Sequence, residues 1–235
     1  MIILFSPSAS PAFNLAAEEY LFSNRTDDIL FLYVNEPCVV VGRNQNVLSE
    51  VDVDFCTIHK IPAFKRMSGG GTVYHDPGNL NYCFISTRVH GESPLKADFL
   101  QPIVKILANL GVEVLIGKRN DLWLPGGHKI SGTASHVGKT RILHHGTLLY
   151  DTDLEKLEKC LSSKTVEKSS RGIASVPSPV KNIRSYILEN NLFAPSAGSF
   201  FKLILLQLVD MFCLESVTSL SPEEELLIKP LPFQF

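Results

Sequence analysis

Two segments of this 235-residue chain carry the residue types and spacing for anion chemistry. The first is KRMSGGGTVYHDPGN, Lys65 to Asn79. Arg66 precedes Ser68 and three consecutive glycines, Gly69, Gly70 and Gly71, and Thr72, Val73, Tyr74 and His75 follow. Amides without a neighbouring Cβ can close on an anion and adopt positive φ. A guanidinium can grip a carboxylate or phosphate through two parallel hydrogen bonds. The second segment holds RNDLWL (Arg119–Leu124), GGHKISGTAS (Gly126–Ser135) and HHGTLL (His144–Leu149). There Lys129 opens a strand beside the small residues Ser131, Gly132, Thr133 and Ala134, which leave an ammonium room to reach a ligand. Asp121, with Asn120 beside it, offers hard oxygen for Mg²⁺ or a ribose hydroxyl.

Each feature has a plainer reading. A glycine run can simply bend a sheet, Lys129 can be a solvated strand end, and Asp121 can be a turn or cap residue. The glycine run is not a P-loop, because no Gly-Lys-Ser/Thr follows. It is not a dinucleotide fingerprint, because a strand rather than a helix comes next. A zinc site is rejected: no H-x-x-x-H occurs, and His144 and His145 point to opposite faces of a strand.

The elements that must position these residues are legible from periodicity. PAFNLAAEEYLFSN (Pro11–Asn24) puts Phe13, Ala16, Ala17, Tyr20 and Leu21 on one helical face. ILFLYVN and CVVVGR read as a hairpin about Asn35-Glu36-Pro37, and TVYHD and NLNYCFIST flank a tight DPGN turn. Pro94–Gly111 reads as a helix interrupted near Pro102. VEVLIG and NDLWLP read as strands. KISGTASHVGKTRILHHGTLLYD reads as a long hairpin turning at Gly138-Lys139. DLEKLEKCLS is an amphipathic helix, KSSRGIASVPSPV a loop, and helices near Asn182–Asn190 and Ser196–Glu215 follow. Strands collect in the middle and helices at the two ends, which predicts an α+β fold in one domain, 1–235.

Totals narrow the class. Lys and Arg number 22 against 24 acidic residues, a net charge of -2, so no basic surplus points to nucleic acid. The five cysteines are scattered without a C-x-x-C, which argues against a disulfide framework. No apolar run reaches the roughly 20 residues of a membrane span, and the expected compartment is the cytoplasm.

In their order, KRMSGGGTVYHDPGN, RNDLWL, KISGTAS and HHGTLL resemble the lipoate–protein ligase A and lipoyltransferase family. FNLAAEEYLF, VVVGRNQN and GIASVPSPVKNI (Gly172–Ile183) agree with it, so the resemblance spans about residues 10 to 185. It implies the biotin/lipoate ligase fold, with a mainly antiparallel sheet cradling the ligand and helices flanking it. It implies ATP-dependent activation of lipoate as lipoyl-AMP, then transfer to a lysine of an apo lipoyl domain. Such acceptors are 2-oxoacid dehydrogenase acyltransferase subunits or the glycine-cleavage H protein. By the same resemblance, Lys129 is catalytic and touches both acyl carbonyl and phosphate. Arg66, Ser68 and the glycine amides offset the two anions, and the Gly71–Tyr74 backbone binds adenosine, bordered by His75 and Asn79. Asn120 and Asp121 lie near the nucleotide and Mg²⁺, and Ser131, Gly132, Ala134, His145, Gly146 and Thr147 complete the walls. Leu15, Ala16, Tyr33, Val41 and Gly42 are expected to hold the lipoyl tail.

The chain departs from the family after Ser196, where nothing matches the usual C-terminal accessory domain. Three readings stay open: both half-reactions, help from a separate accessory protein, or transfer from preformed lipoyl-AMP alone. A non-catalytic binder of lipoate or its adenylate is the alternative of another class. A cysteine-dependent amidotransferase is disfavoured, because Lys129–Leu149 contains no cysteine and Cys83 lies on an apolar strand.

Overall fold

A computed structural model describes residues 1–89, 97–162, 172–214 and 217–235. In chain order the elements are β1 (Ile2–Phe5), α1 (Pro11–Asn24), β2 (Ile29–Tyr33), β3 (Cys38–Val41), α2 (Val47–Glu50) and α3 (Val53–Ile58). Then come β4 (Ala63–Lys65), β5 (Val73–His75), β6 (Asn79–Thr87), a 3-10 turn (Ala97–Leu100) and α4 (Gln101–Asn109). They continue with β7 (Leu115–Ile116), β8 (Leu122–Trp123), β9 (Lys129–Ser131), β10 (Thr133–Val137) and β11 (Arg141–Leu149). Four helices follow: α5 (Leu154–Leu161), α6 (Ile183–Glu189), α7 (Ala197–Met211) and α8 (Pro222–Leu227).

The strands form three sheets. The largest has the order β1-β2-β6-β11-β10, and only its β1–β2 pair is parallel. Side chains alternate across a strand, so one segment can feed two cores. Leu80, Tyr82 and Phe84 of β6 join Leu30 and Leu32 of β2 in one cluster, covered by α4, α6 and α7. Cys83 and Ile85 join Ile29, Phe31 and Tyr33 in another, covered by α1. Each fully buried side chain of this kind contributes about 1.5–3 kcal/mol, which fixes the register of the central strands.

A small sheet, β4-β3-β5, repeats the logic. Val39 and Val41 pack with Cys56 and Cys160, whereas Cys38 and Val40 pack with Leu15 and Phe64. The third sheet, β7-β8-β9, carries Lys129 at its edge.

Several expectations change. The hairpin about Asn35-Glu36-Pro37 does not form, because β2 and β3 belong to different sheets. The Asn35 side chain is buried there and binds Asn14 and His75, so the connection crosses between layers. β5 and β6 likewise part company after a real turn, in which Asn79 N–H donates to the Asp76 carbonyl at 3.0 Å. The long hairpin is real only from Thr133 to Leu149, since β9 pairs with β8 instead.

Pro102 does not kink a helix. It sits in the first turn of α4, where a missing N–H costs nothing. Residues 94–96 of that expected helix, the first residues of the Ser/Pro loop and Glu215 lie outside the described residues. The buried face of α1 includes Asn14 and Glu18, while Phe13 and Tyr20 are only partly buried. α8 was unforeseen, although Ser221 and Glu224 form a full capping box before it.

Candidate functional site

A cavity of about 410 Å³ opens where the three sheets meet. Arg66, one residue past β4, and Lys129 of β9 both line it. Gly70, Gly71, Thr72, Val73 and His75 supply one wall. Asp121, Gly132, Ala134, His145, Gly146 and Thr147 supply the facing wall, and Leu15 and Tyr33 add apolar surface. The other expected residues stand apart from the lining. Ser68 and Gly69 lie behind Arg66, which bonds to both. Tyr74 points into the core with Val41, and Ala16 of α1 packs into the cluster of Phe31, Tyr33 and Cys83. Val40, one residue from Val41 and so on the opposite face, lines the cavity in its place. Asn79 bonds Asn81, Ser131 bonds Tyr82, and the Asn120 carbonyl accepts from Thr133. Gly42 is needed for close approach: a Cβ there would meet the Gly70 carbonyl oxygen at 2.1 Å.

Arg66 is a scaffold for the glycine loop. Its Nη2 donates to the carbonyls of Gly69 (2.6 Å) and Gly71 (2.8 Å), and its Nη1 to that of Val40 (3.0 Å). Its Nε donates to the Ser68 hydroxyl at 3.0 Å. Most of its donors are therefore spent within the protein, and it acts on a ligand mainly as a fixed charge. Burial pulls its pKa down to about 10, opposed by Glu18 and Tyr33.

The anchor behind Arg66 was not foreseen in the sequence. The Ser68 hydroxyl bonds His145 Nε2 at 2.6 Å, and His145 Nδ1 donates to Glu18 Oε2 at 2.8 Å. Tyr33 donates its hydroxyl to Glu18 Oε1 at 3.0 Å. Glu18 is 1% exposed. A buried carboxylate thus links α1, β2, β11 and the glycine loop. The available signal was a polar pair at i and i+4, Asn14 and Glu18, beside the small apolar residues of α1.

His75 has its tautomer fixed by a chain of bonds. Asn14 donates from Nδ2 to the Ser8 carbonyl and to Asn35 Oδ1, so Asn35 must turn its Nδ2 toward His75 Nδ1 at 3.0 Å. Nδ1 accepts, and the proton sits on Nε2, which is buried with no hydrogen-bond partner. Burial pulls its pKa down to about 3, helped by the charges of Arg66 and His145, so the ring stays neutral. The ring is thus a neutral donor without an acceptor, on a residue that lines the cavity.

Lys129 Nζ lies 3.4 Å from Asp121 Oδ2, and the Arg119 guanidinium approaches the same oxygen at 3.6 Å. Burial lowers the Lys129 pKa while Asp121 works against that shift. Burial would raise the Asp121 pKa, but bonding from Trp123 and the Lys129 charge bring it below its usual value.

A strap from Gly172 onward passes over the glycine loop. Its Ser175 hydroxyl accepts from the Thr72 amide (3.0 Å) and from Gln45 Nε2 (3.0 Å). Glu50 accepts from the Ser175 amide at 3.1 Å, and Pro179 accepts from the Lys129 amide at 2.8 Å. Ile173 to Val176 line the cavity, as do Asn81, Arg119 and Thr133, none of them anticipated as site residues. The arrangement unites fixed positive charge, an unpaired neutral donor, glycine backbone and an apolar slot. It suits a ligand with an aliphatic part and an anionic head.

Among the described residues no helix is long and apolar enough to cross a membrane. The lipoate-protein ligase LplJ of Bacillus subtilis is 39% identical over 180 residues, which is 75% of this chain and 54% of that one. Lipoate–protein ligase 1 of Staphylococcus aureus is 38% identical over 179 residues, covering 75% and 54%. The chain spans about half the length of the curated relatives it matches. A crystal structure of lipoate-protein ligase A bound with ATP superposes with a TM-score of 0.77 at 22% identity, over 97% of this chain and 92% of that one. The bi-partite lipoate protein ligase of Thermoplasma acidophilum, studied with its E2 lipoyl domain, gives 0.77 at 24% identity, over 97% and 89%. These two likenesses establish the fold, α+β with flanking helices. The lipoyl protein ligase A/B catalytic domain matches residues 10–195, and the chain belongs to that family.

Proposed function

We propose that this chain carries lipoate–protein ligase chemistry. A lipoate carboxylate oxygen attacks the α-phosphorus of ATP, pyrophosphate leaves, and lipoyl-AMP forms. The amine of an acceptor lysine then attacks the acyl carbon, AMP leaves as the amide forms, and the amine gives up a proton. The carrying observation is one cavity holding Lys129, the buried Arg66 charge and the glycine loop together. Family membership and the ligases named among the relatives support the same reading.

Two anions must meet in the first step and negative charge must leave in the second. The Lys129 ammonium is positioned to offset both, and it needs no reorganisation when the reaction occurs. Neutral His75 supplies an N–H to an oxygen of the bound acid or adenylate. Leu15, Val40 and Tyr33 exclude water from the alkyl chain. Asp121 is the carboxylate suited to Mg²⁺, which usually takes one or two carboxylates plus phosphate oxygens: its buried Oδ2 accepts no hydrogen bond and faces only the cations of Lys129 at 3.4 Å and Arg119 at 3.6 Å. Bound there, the ion would neutralise charge on the leaving pyrophosphate. Apo lipoyl domains of 2-oxoacid dehydrogenases, or H protein, are the proposed acceptors, in the cytoplasm.

The second, alternative reading is transfer from preformed lipoyl-AMP or activation with a separate accessory protein. The test supplies apo lipoyl domain with either ATP plus lipoate or synthetic lipoyl-AMP. Product in both arms supports the full reaction, product only from lipoyl-AMP supports the second reading, and product in neither leaves a binding protein. Lys129→Ala is expected to lower the lipoyl-AMP arm about 10²–10³-fold, the scale of one lost preorganised donor. Unchanged turnover in a folded Lys129→Ala protein would remove Lys129 from the chemistry.

A further inference from the structure

Behind β5, on the face turned from the cavity, Cys56 of α3 and Cys160 of α5 share one apolar cluster with Tyr74. Both side chains are fully buried. Asp52, the N-cap of α3, ties their backbones together: its amide donates to the Cys160 carbonyl at 2.9 Å, and its carbonyl accepts from the Cys56 amide at 3.0 Å. Above the pair, the Lys159 ammonium lies 5.9 Å from the Phe55 ring centre, closing the α3–α5 seam. Nothing in the proposed reaction uses these thiols. Cys38 and Cys83 sit in two other clusters, and Cys213 is exposed.

We propose that Cys56 and Cys160 are a redox-modification site: they form a reversible intramolecular disulfide by exchange with a small linear disulfide such as glutathione disulfide. Cys160 draws down the pKa of Cys56, its neighbour in that cluster, which favours Cys56 as the attacking sulfur. The Cys56 thiolate attacks one sulfur of the external disulfide and expels one glutathione thiolate, leaving a mixed disulfide. Cys160 then loses its proton, attacks Cys56 Sγ and expels the second glutathione. Two protein thiols are oxidised, one external disulfide becomes two thiols, and the two protons end on glutathione. Access comes by local opening of the seam, since α3 is only 6 residues long and α5 only 8. The bond would lock α3 to α5 directly behind Tyr74 of β5. The proposal does not depend on the ligase reading.

The test uses the full chain carrying Cys213→Ser, incubated with glutathione disulfide and then alkylated under denaturing conditions. The expected product has lost the mass of two hydrogens, maps to a Cys56–Cys160 peptide pair and reverts with dithiothreitol. Its Tm should exceed that of the reduced protein, because the cross-link restricts the unfolded chain. Adding Cys160→Ser should replace the cross-link with a glutathione adduct on Cys56. Recovery of both thiols alkylated from the protein with Cys56 and Cys160 intact overturns the proposal. Pairing of either with Cys38 or Cys83, or an oxidised form no more stable than the reduced one, also overturns it.

Discussion

Glu18→Ala is the perturbation that bears most directly on how the glycine loop is held. The carboxylate accepts from His145 Nδ1 at 2.8 Å and from the Tyr33 hydroxyl at 3.0 Å, and both donors are buried. Without it each donor loses its acceptor, at about 1–3 kcal/mol apiece. Glu18 also favours the charged form of buried Arg66, and breaking a buried charge pairing typically costs about 3–5 kcal/mol. These estimates overlap, so a loss of about 3–5 kcal/mol is expected rather than their sum. Glu18→Gln keeps one carbonyl acceptor but sets an N–H against a donor, so it should recover about half the loss. The assay is equilibrium urea unfolding of both variants and the parent, with slopes compared to confirm that the denatured state is unchanged. In parallel, Lys129-dependent transfer from lipoyl-AMP should fall in both variants, because His145, which holds Ser68 and through it Arg66, is no longer fixed by a carboxylate. A Glu18→Ala protein within about 1 kcal/mol of the parent would falsify the anchoring role.

Two further outcomes follow from the site. His75 has its pKa depressed to about 3 from an ordinary value of 6.5, so between those values the unfolded chain binds a proton that the folded chain refuses. Stability should therefore rise with pH across that window and flatten above about 6.5, and His75→Gln should shrink the slope in an acid unfolding series; an identical slope would mean the ring is not held neutral. Gly42→Ala should displace the glycine loop, because its Cβ would sit 2.1 Å from the Gly70 carbonyl oxygen. Transfer activity should drop more than tenfold, the scale of a roughly 1 Å misplacement in a catalytic site, and a crystal structure with Gly70 unmoved would contradict that account.

Much of the site was legible because its chemistry is written in local, contiguous stretches. Arg66, the glycine run, Asp121, Lys129 and His145 are each marked by type and neighbours, and all but the backs of those segments reach the cavity. Strand and helix types were legible for the same reason: α1 and α5 begin and end within a residue or so of what periodicity and capping indicate.

What the sequence determined by itself was the chemistry on offer: the cations, the bare amides, the strand-rich centre and the helical flanks. What only the tertiary structure decided was how those parts are partnered. Asn35-Glu36-Pro37 reads as a hairpin, yet Asn35 is drawn into bonds with Asn14 and His75 that belong to other elements. Val40 rather than Val41 faces the cavity, since a strand presents alternate residues and only packing against Leu15 and Phe64 selects the face. Glu18 looks like a solvated helix charge until Tyr33 and His145 arrive from strands 15 and 127 residues away. Hydrogen-bond demand in a buried site is met by whatever the fold brings near, and distance along the chain carries no record of it.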